Sequence, residues 1–253
     1  YALTMGKSIG WTSATVISLL AFSVVAGFLF ILTELKVKHP LLRLSLFKNL
    51  NFTYPAISNM LYTAILSGIF YIIPIYLSER KIDIQTAGFL IMVPSILMGV
   101  FQPIAGRLLT VLSHKVMFLI GTGLMFGAFV MFYFLRPDSG MPYILAALVV
   151  FSVSNGLYAT PTVNIIMINA PKGQEGIFSS VIMLTARAGS VFGVSLFTTI
   201  FTNSLPAGET LRSGVSAEAL ALAFRSCYIV GLVIAAIVIA LAFLTKKPQS
   251  VRH

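Results

Sequence analysis

The sequence predicts an all-α, polytopic membrane protein with seven transmembrane helices. Three observations predict it: seven long apolar stretches, charges that fall almost wholly between them, and stretches that are continuously apolar rather than alternating. Of the 253 residues, 58% are hydrophobic and only 9% are charged. A soluble domain carries roughly 25% charged residues, so this chain cannot cover a water-exposed surface. Helices are expected rather than a barrel, because transmembrane strands alternate polar and apolar residues over about 10 positions.

Residues 1–12, YALTMGKSIGWT, are polar and contain glycine, and they read as a loop. The first span is expected at 13–32. Residues 33–52 follow as a basic joint, in which His39-Pro40 ends the preceding helix, because a residue before proline is pushed out of the α region. Leu41, Leu42, Leu44, Leu46, Phe47 and Leu50 interleave there with Arg43, Lys48 and Asn49. That mixture suits either a short segment lying at the membrane interface or an ordinary basic linker. Six more spans are expected at 53–77, 87–106, 116–135, 143–168, 178–203 and 222–245. Each approaches or exceeds the roughly 20 residues that a crossing helix needs. The odd number of spans and the missing initiator methionine lead us to expect a piece of a longer polypeptide.

The net charge is +10. In a soluble protein this would point to nucleic acid. Here it fits the excess of basic residues on the cytoplasmic side of a membrane protein, and no nucleic-acid partner is expected. One side would carry ten basic residues: Lys36, Lys38, Arg43, Lys48, Arg107, Lys115, Lys172, Lys246, Lys247 and Arg252. The other would carry six: Lys7, Arg80, Lys81, Arg136, Arg212 and Arg225. The richer side is expected to be cytoplasmic, which puts the C-terminus inside the cell and Tyr1 outside.

No enzyme, cofactor or metal site is expected. Cys227 stands alone and reads as a packed thiol. His39, His114 and His253 fall in segments expected to be solvated, and neither a glycine-rich phosphate loop nor a GxSxG motif occurs. A membrane enzyme would need His, Asp, Glu or Cys clustered near the interface, and His114-Lys115 is the only approach to that.

Polar groups inside spans are costly and mark either a solute pathway or helix–helix contacts. In the second span Asn59, Tyr62, Thr63, Ser67 and Phe70 share one face at 100° per residue. In the third, Ser95, Met98 and Gln102 align beside Pro94 and Pro103, which would loosen the helix. In the fifth, Asn155 and Asn164 flank Pro161 and point apart unless the helix bends there. We take Asn59, Tyr62, Thr63, Met98, Gln102 and Asn155 as pathway candidates. Arg187 is the one charge deep within a span, expected as a buried charge with a partner. Gly123-x-x-x-Gly127 and Gly189-x-x-x-Gly193 are expected to let helices approach closely.

Several stretches, in this order and spacing, resemble the major facilitator superfamily, in particular its fourteen-helix drug:proton antiporter branch. They are Gly10-Trp11; Glu34 followed by HPLLRLSLF and Lys48-Asn49; PIYL at Pro74–Leu77; Pro94, Pro103 and Gly106; and RAGSVFG with Arg187, Gly189 and Gly193. The loop GRLLTVLSHK departs from the branch's pattern: Gly106 matches, Thr110 replaces an acid and Val111 a base, and only His114 and Lys115 keep basic character. Gly106, His114 and Lys115 are therefore the expected remnant of the conformational loop.

The resemblance implies that 1–32 is an outer loop with an inserted central helix, 33–52 a cytoplasmic interfacial linker, 53–245 the six-helix C-terminal half-bundle and 246–253 a cytoplasmic basic tail. It implies export of small amphipathic drugs or toxic compounds across the cell membrane by alternating access, coupled to protons, together with an N-terminal half that this chain lacks. A transporter of a specific metabolite, lipid or siderophore is the alternative, and a membrane scaffold or membrane-enzyme fragment is the alternative of another class. All seven acidic residues fall outside the expected spans, so this chain alone holds no obvious proton carrier and is not expected to transport.

Overall fold

The computed structural model describes residues 13–36, 50–136, 139–168, 170, 173–206 and 216–245. Every regular element among them is an α-helix: α1 Ala14–Lys36, α2 Leu50–Glu79, α3 Ile84–Leu108, α4 His114–Tyr133, α5 Met141–Ile168, α6 Glu175–Asn203 and α7 Ala217–Leu244. The expected spans coincide with these helices to within five residues at each end. Lipid supplies no hydrogen-bond partner to the backbone, so each crossing segment must satisfy itself as a helix. Six helices, α2 to α7, are long and apolar enough to cross a membrane. At 23 residues, α1 rises roughly 34 Å, enough for the hydrocarbon core, although its described apolar stretch, Ala14–Leu29, is shorter than the others. Gly10-Trp11, His39-Pro40, most of the joint 33–52 and the tail 246–253 lie outside the described residues.

The six long helices form one bundle, and α1 packs extensively against none of them. α2 lies against α6 and α7, α4 against α5 and α7, and α3 against α5. The closest seam joins α2 to α6. A Cβ on Gly189 would strike the Met60 carbonyl, and one on Gly193 the Ala64 backbone. At that spacing Asn59 Nδ2 donates to the Ile182 carbonyl at 3.1 Å and to Thr185 Oγ1 at 3.0 Å. Ser67 Oγ meets Ser190 Oγ at 2.7 Å, and Phe52 stands edge-on to Phe178 at 4.9 Å.

The other glycine pair corrects an expectation. Gly123 and Gly127 have open space where a Cβ would go, and the close contact of α4 falls on Gly121, against the Tyr158 backbone of α5. Spacing alone cannot say which face of an all-round apolar helix meets a neighbour. Pro161 does not break α5, which runs continuously with Asn155 buried and Asn164 half-buried. Cys227 is buried, its Sγ 3.6 Å from the Phe197 carbonyl, in keeping with a packed thiol.

The turn closing α2 has a tight geometry. Lys81 takes φ 52, in the left-handed region where glycine is usual. Its N–H donates to the Ser78 carbonyl at 2.9 Å, and that of Ile82 to Leu77 at 3.3 Å. These two bonds satisfy carbonyls at the helix end, and Ile82 packs back on the core holding Leu77. A lysine there costs on the order of 1 kcal/mol relative to glycine.

The α2–α6 seam generates a paired prediction. Gly193→Ala should lower stability by about 1–3 kcal/mol through overpacking. Gly127→Ala should be neutral or gain up to about 1 kcal/mol in helix propensity. Thermal unfolding of the purified chain in detergent reads both, and equal shifts would contradict the seam described.

Candidate functional site

Near mid-helix, α2 and α5 meet through two tyrosines. The rings of Tyr62 and Tyr158 stack with centroids 3.9 Å apart and planes 14° from parallel. Both side chains are almost wholly buried, and Phe118 of α4 approaches the Tyr158 ring at 5.2 Å. The Tyr62 hydroxyl lies beside Asn155 and Ser154 of α5. Yet neither tyrosine hydroxyl, nor that of Ser58 one turn earlier on α2, has a hydrogen-bond partner of good geometry. A buried hydroxyl left unpaired costs about 1–3 kcal/mol. Three in one neighbourhood leave donor and acceptor capacity unused within the described residues.

The structure divides the pathway candidates. Tyr62 and Asn155 come together in this layer. Asn59 does not join them, because both of its donor contacts go to α6. Thr63 Oγ1 is satisfied by its own helix, at the carbonyls of Asn59 (2.7 Å) and Met60 (3.0 Å). Met98 is half-buried against the main apolar core. Gln102 is exposed on α3, its carbonyl accepting from Thr160 Oγ1 at 3.3 Å. Sequence reasoning missed Tyr158, Ser154 and Ser58. The available signal was Tyr158 three residues beyond Asn155, one turn along the same face.

The loop residues behave differently from one another. Gly106 is exposed, with open space around it. His114 starts α4 half-buried, and Ser113 caps that helix by accepting from the Val116 N–H at 3.3 Å. Lys115 Nζ donates to the Phe243 carbonyl at 2.9 Å and so tethers the start of α4 to the end of α7. Cations suit a helix C-terminus, where carbonyls lack intrahelical partners.

Arg187 departs from expectation. It sits near the middle of the 29-residue α6 but is exposed, with no hydrogen bond or ion pair to any described residue. The α6 residues that meet α2, namely Phe178, Ile182, Thr185, Gly189 and Gly193, lie on the opposite face. Ser180, Met183, Leu184 and Val191 share its arc and are exposed too. A guanidinium held in lipid at this depth costs on the order of 3 kcal/mol.

A second helix has the same character. In α3 only 11% of the apolar window is buried, and in α6 22%, the two lowest shares in the bundle. Ser95, Gly99, Gln102 and Gly106 are exposed on one arc of α3, about 60° wide at 3.6 residues per turn. Bulky Ile96, Val100 and Ile104 are exposed on a separate arc, while Pro94, Phe101 and Ala105 turn toward α5. The bulky arc suits acyl chains. The small and polar arc suits close contact with another helix, or water.

A bundle of crossing helices, sealed on some faces and polar on the exposed arcs of two of its members, defines a polytopic membrane protein. The chain belongs to the Major Facilitator Superfamily, whose family model matches residues 2–194. It is 27% identical over 198 residues to the quinolone resistance protein NorB of Staphylococcus aureus strain bovine RF122 / ET3-1, covering 77% of this chain and 42% of that protein. To NorB of strain JH9 it is 28% identical over 200 residues, with the same two shares. The chain thus spans less than half the length of these relatives.

The unpaired hydroxyls predict an unusual pair of outcomes. Tyr62→Phe and Tyr158→Phe each remove a buried, unpartnered group, so each should be neutral or raise stability by up to about 1 kcal/mol. Tyr62→Ala removes the stacked ring and should cost about 3–5 kcal/mol. Thermal melting in detergent distinguishes them, and a large loss in either Phe variant would mean that its hydroxyl is bonded.

Proposed function

We propose that this chain is the C-terminal half of a proton-coupled efflux transporter of the cell membrane, in the fourteen-helix branch of its superfamily. The half-bundle α2 to α7 works against an N-terminal half, and α1 is a central helix inserted between the two. Substrate passes between the halves by alternating access. The reading rests above all on Arg187: an unpartnered guanidinium on the open face of α6 needs an opposing protein surface or water. The small, polar arc of α3 supports the same assignment, and so does the greater length of the NorB relatives.

The substrates are small amphipathic drugs or toxic compounds. Similarity to quinolone resistance proteins supports this class. Tyr62, Tyr158, Ser154 and Asn155 provide aromatic area and hydrogen-bonding groups at mid-bundle, a combination suited to flat molecules with a few polar atoms. The basic-residue balance puts the C-terminus and the α1–α2, α3–α4 and α5–α6 connections in the cytoplasm. The α2–α3, α4–α5 and α6–α7 connections then face outward.

The test uses a bacterial host stripped of its own drug pumps. The longer polypeptide required by this reading should lower accumulation of a fluorescent amphipathic dye, and an uncoupler should restore it. The chain alone should leave accumulation unchanged. In the longer polypeptide Arg187→Ala should reduce efflux about tenfold, the worth of about 1.4 kcal/mol. Efflux by the chain alone, or none by the longer polypeptide, would overturn the proposal.

A further inference from the structure

A second concavity lies at the end of the bundle that carries the α2–α3 turn, away from the open face. It has a volume of about 290 Å³. Tyr76, Leu135, Leu220 and Phe224 form an apolar wall, and Glu79 and Arg80 stand at its rim. Neither α3 nor α6 contributes to its lining. The space therefore opens between α2, the end of α4 and the first turns of α7. It is separate from the Tyr62–Tyr158 layer and from the faces assigned to the substrate route.

The rim is built rather than incidental. Arg80 Nη1 donates to the Ser139 carbonyl at 2.7 Å, and the guanidinium lies 5.8 Å from the Tyr76 ring centroid. Tyr76 is itself fixed, its hydroxyl donating to the Arg136 carbonyl at 3.0 Å and its ring meeting Phe224 edge-on at 5.2 Å. Directly after Arg80 the chain takes the left-handed turn at Lys81, with a non-glycine residue held at φ 52. The guanidinium is therefore held in place with further N–H donors to spare.

Glu79 is exposed and has no hydrogen bond or ion pair among the described residues, not even to Arg80 beside it. Adjacent opposite charges at the mouth of an apolar cleft, not paired with each other, match a ligand that carries both charges. A free anion would be repelled by Glu79, and a simple cation by Arg80. A purely apolar guest would leave both unused. The cleft lies at a helix end of a membrane-spanning bundle, where headgroups are the abundant zwitterions.

We propose that this cleft binds a phospholipid whose headgroup carries both a phosphate and a primary ammonium. The phosphate sits on the Arg80 guanidinium and the ammonium on the Glu79 carboxylate. The first part of an acyl chain follows the wall made by Leu135, Leu220 and Phe224. In the orientation proposed above the lipid comes from the outer leaflet; the binding chemistry does not depend on that orientation. Quaternary methylation removes the N–H donors, so a trimethylammonium headgroup loses its hydrogen bond to Glu79.

Native mass spectrometry of the purified full chain in detergent tests the proposal. The probes are phosphatidylethanolamine, phosphatidylcholine and phosphatidylglycerol with identical acyl chains. Phosphatidylethanolamine should bind about fivefold more tightly than phosphatidylcholine, equivalent to about 1 kcal/mol, and also more tightly than phosphatidylglycerol. Glu79→Gln should abolish the preference between the first two while leaving phosphatidylcholine binding as it was. Arg80→Gln should weaken all three. Because the Glu79 side chain is exposed and makes no hydrogen bond or ion pair within the described residues, its variant should fold, and it decides the matter even where the Arg80 variant does not. Equal binding of ammonium and trimethylammonium lipids, tighter binding of phosphatidylglycerol, or a preference that survives Glu79→Gln would each overturn it.

Discussion

Hydrocarbon offers no hydrogen bonds, and the rest of this structure follows from that constraint. The backbone answers it by forming helices wherever regular structure is described. Side chains answer it in the same way. Thr63, Ser152, Thr162 and Thr198 each return their hydroxyl to a carbonyl one turn back in their own helix. Such bonds cost little and need no neighbour. Against this background, the hydroxyls of Ser58, Tyr62, Tyr158 and Tyr228 stand out because they do not follow the rule. A phenol cannot reach its own backbone, so a buried tyrosine depends on a partner from another helix.

Much of the fold was legible because the solvent is written in composition. A span is recognised by length and apolarity, and both are local properties. This is why all seven helices fall close to their expected positions. The membership of the superfamily could be read from motif order for the same reason: Pro74–Leu77 lies in the closing turns of α2, and Pro103 and Gly106 in those of α3. Direction was harder to read. In water the apolar face of a helix points inward, but here nearly every face is apolar. Asn59 therefore turned toward α6 rather than the tyrosine layer, and Gly121 rather than Gly123 or Gly127 made the close contact. Tyr158 was passed over because an aromatic residue in an apolar run carries no mark of its partner.

Two kinds of seam hold α2. Toward α6 there are glycine contacts backbone to backbone and hydrogen bonds from Asn59 and Ser67. Parting these would leave polar groups unpaired in lipid and open voids that no side chain fills. Toward α5 there are stacked rings and no strong bond through the tyrosine hydroxyls. Separating stacked rings forfeits dispersion but breaks no hydrogen bond, and hydroxyls already unpaired lose nothing when water reaches them. In the transport cycle proposed above, the α2–α5 layer would yield at lower cost than the α2–α6 seam.

In the transporter proposed above, the distribution of charge divides the chemistry. The described acidic side chains sit at helix termini: Glu79 at the end of α2, Asp83 capping α3, Glu175 opening α6 and Glu218 in the first turn of α7. Near mid-helix the described residues offer hydroxyls, amides and the Arg187 guanidinium. None of these is a carboxylate or an imidazole. In the proposed transporter such a set would hold a solute and complement an anionic partner, and the coupling ion would fall to other groups. In the proposed transporter the titrating carboxylate would lie in the opposing half, and Arg187, unpartnered on the open face, would meet it. A carboxylate drawn between a guanidinium and its own proton would link opening of the interface to protonation, with this half contributing the fixed charge and the opposing half the variable one.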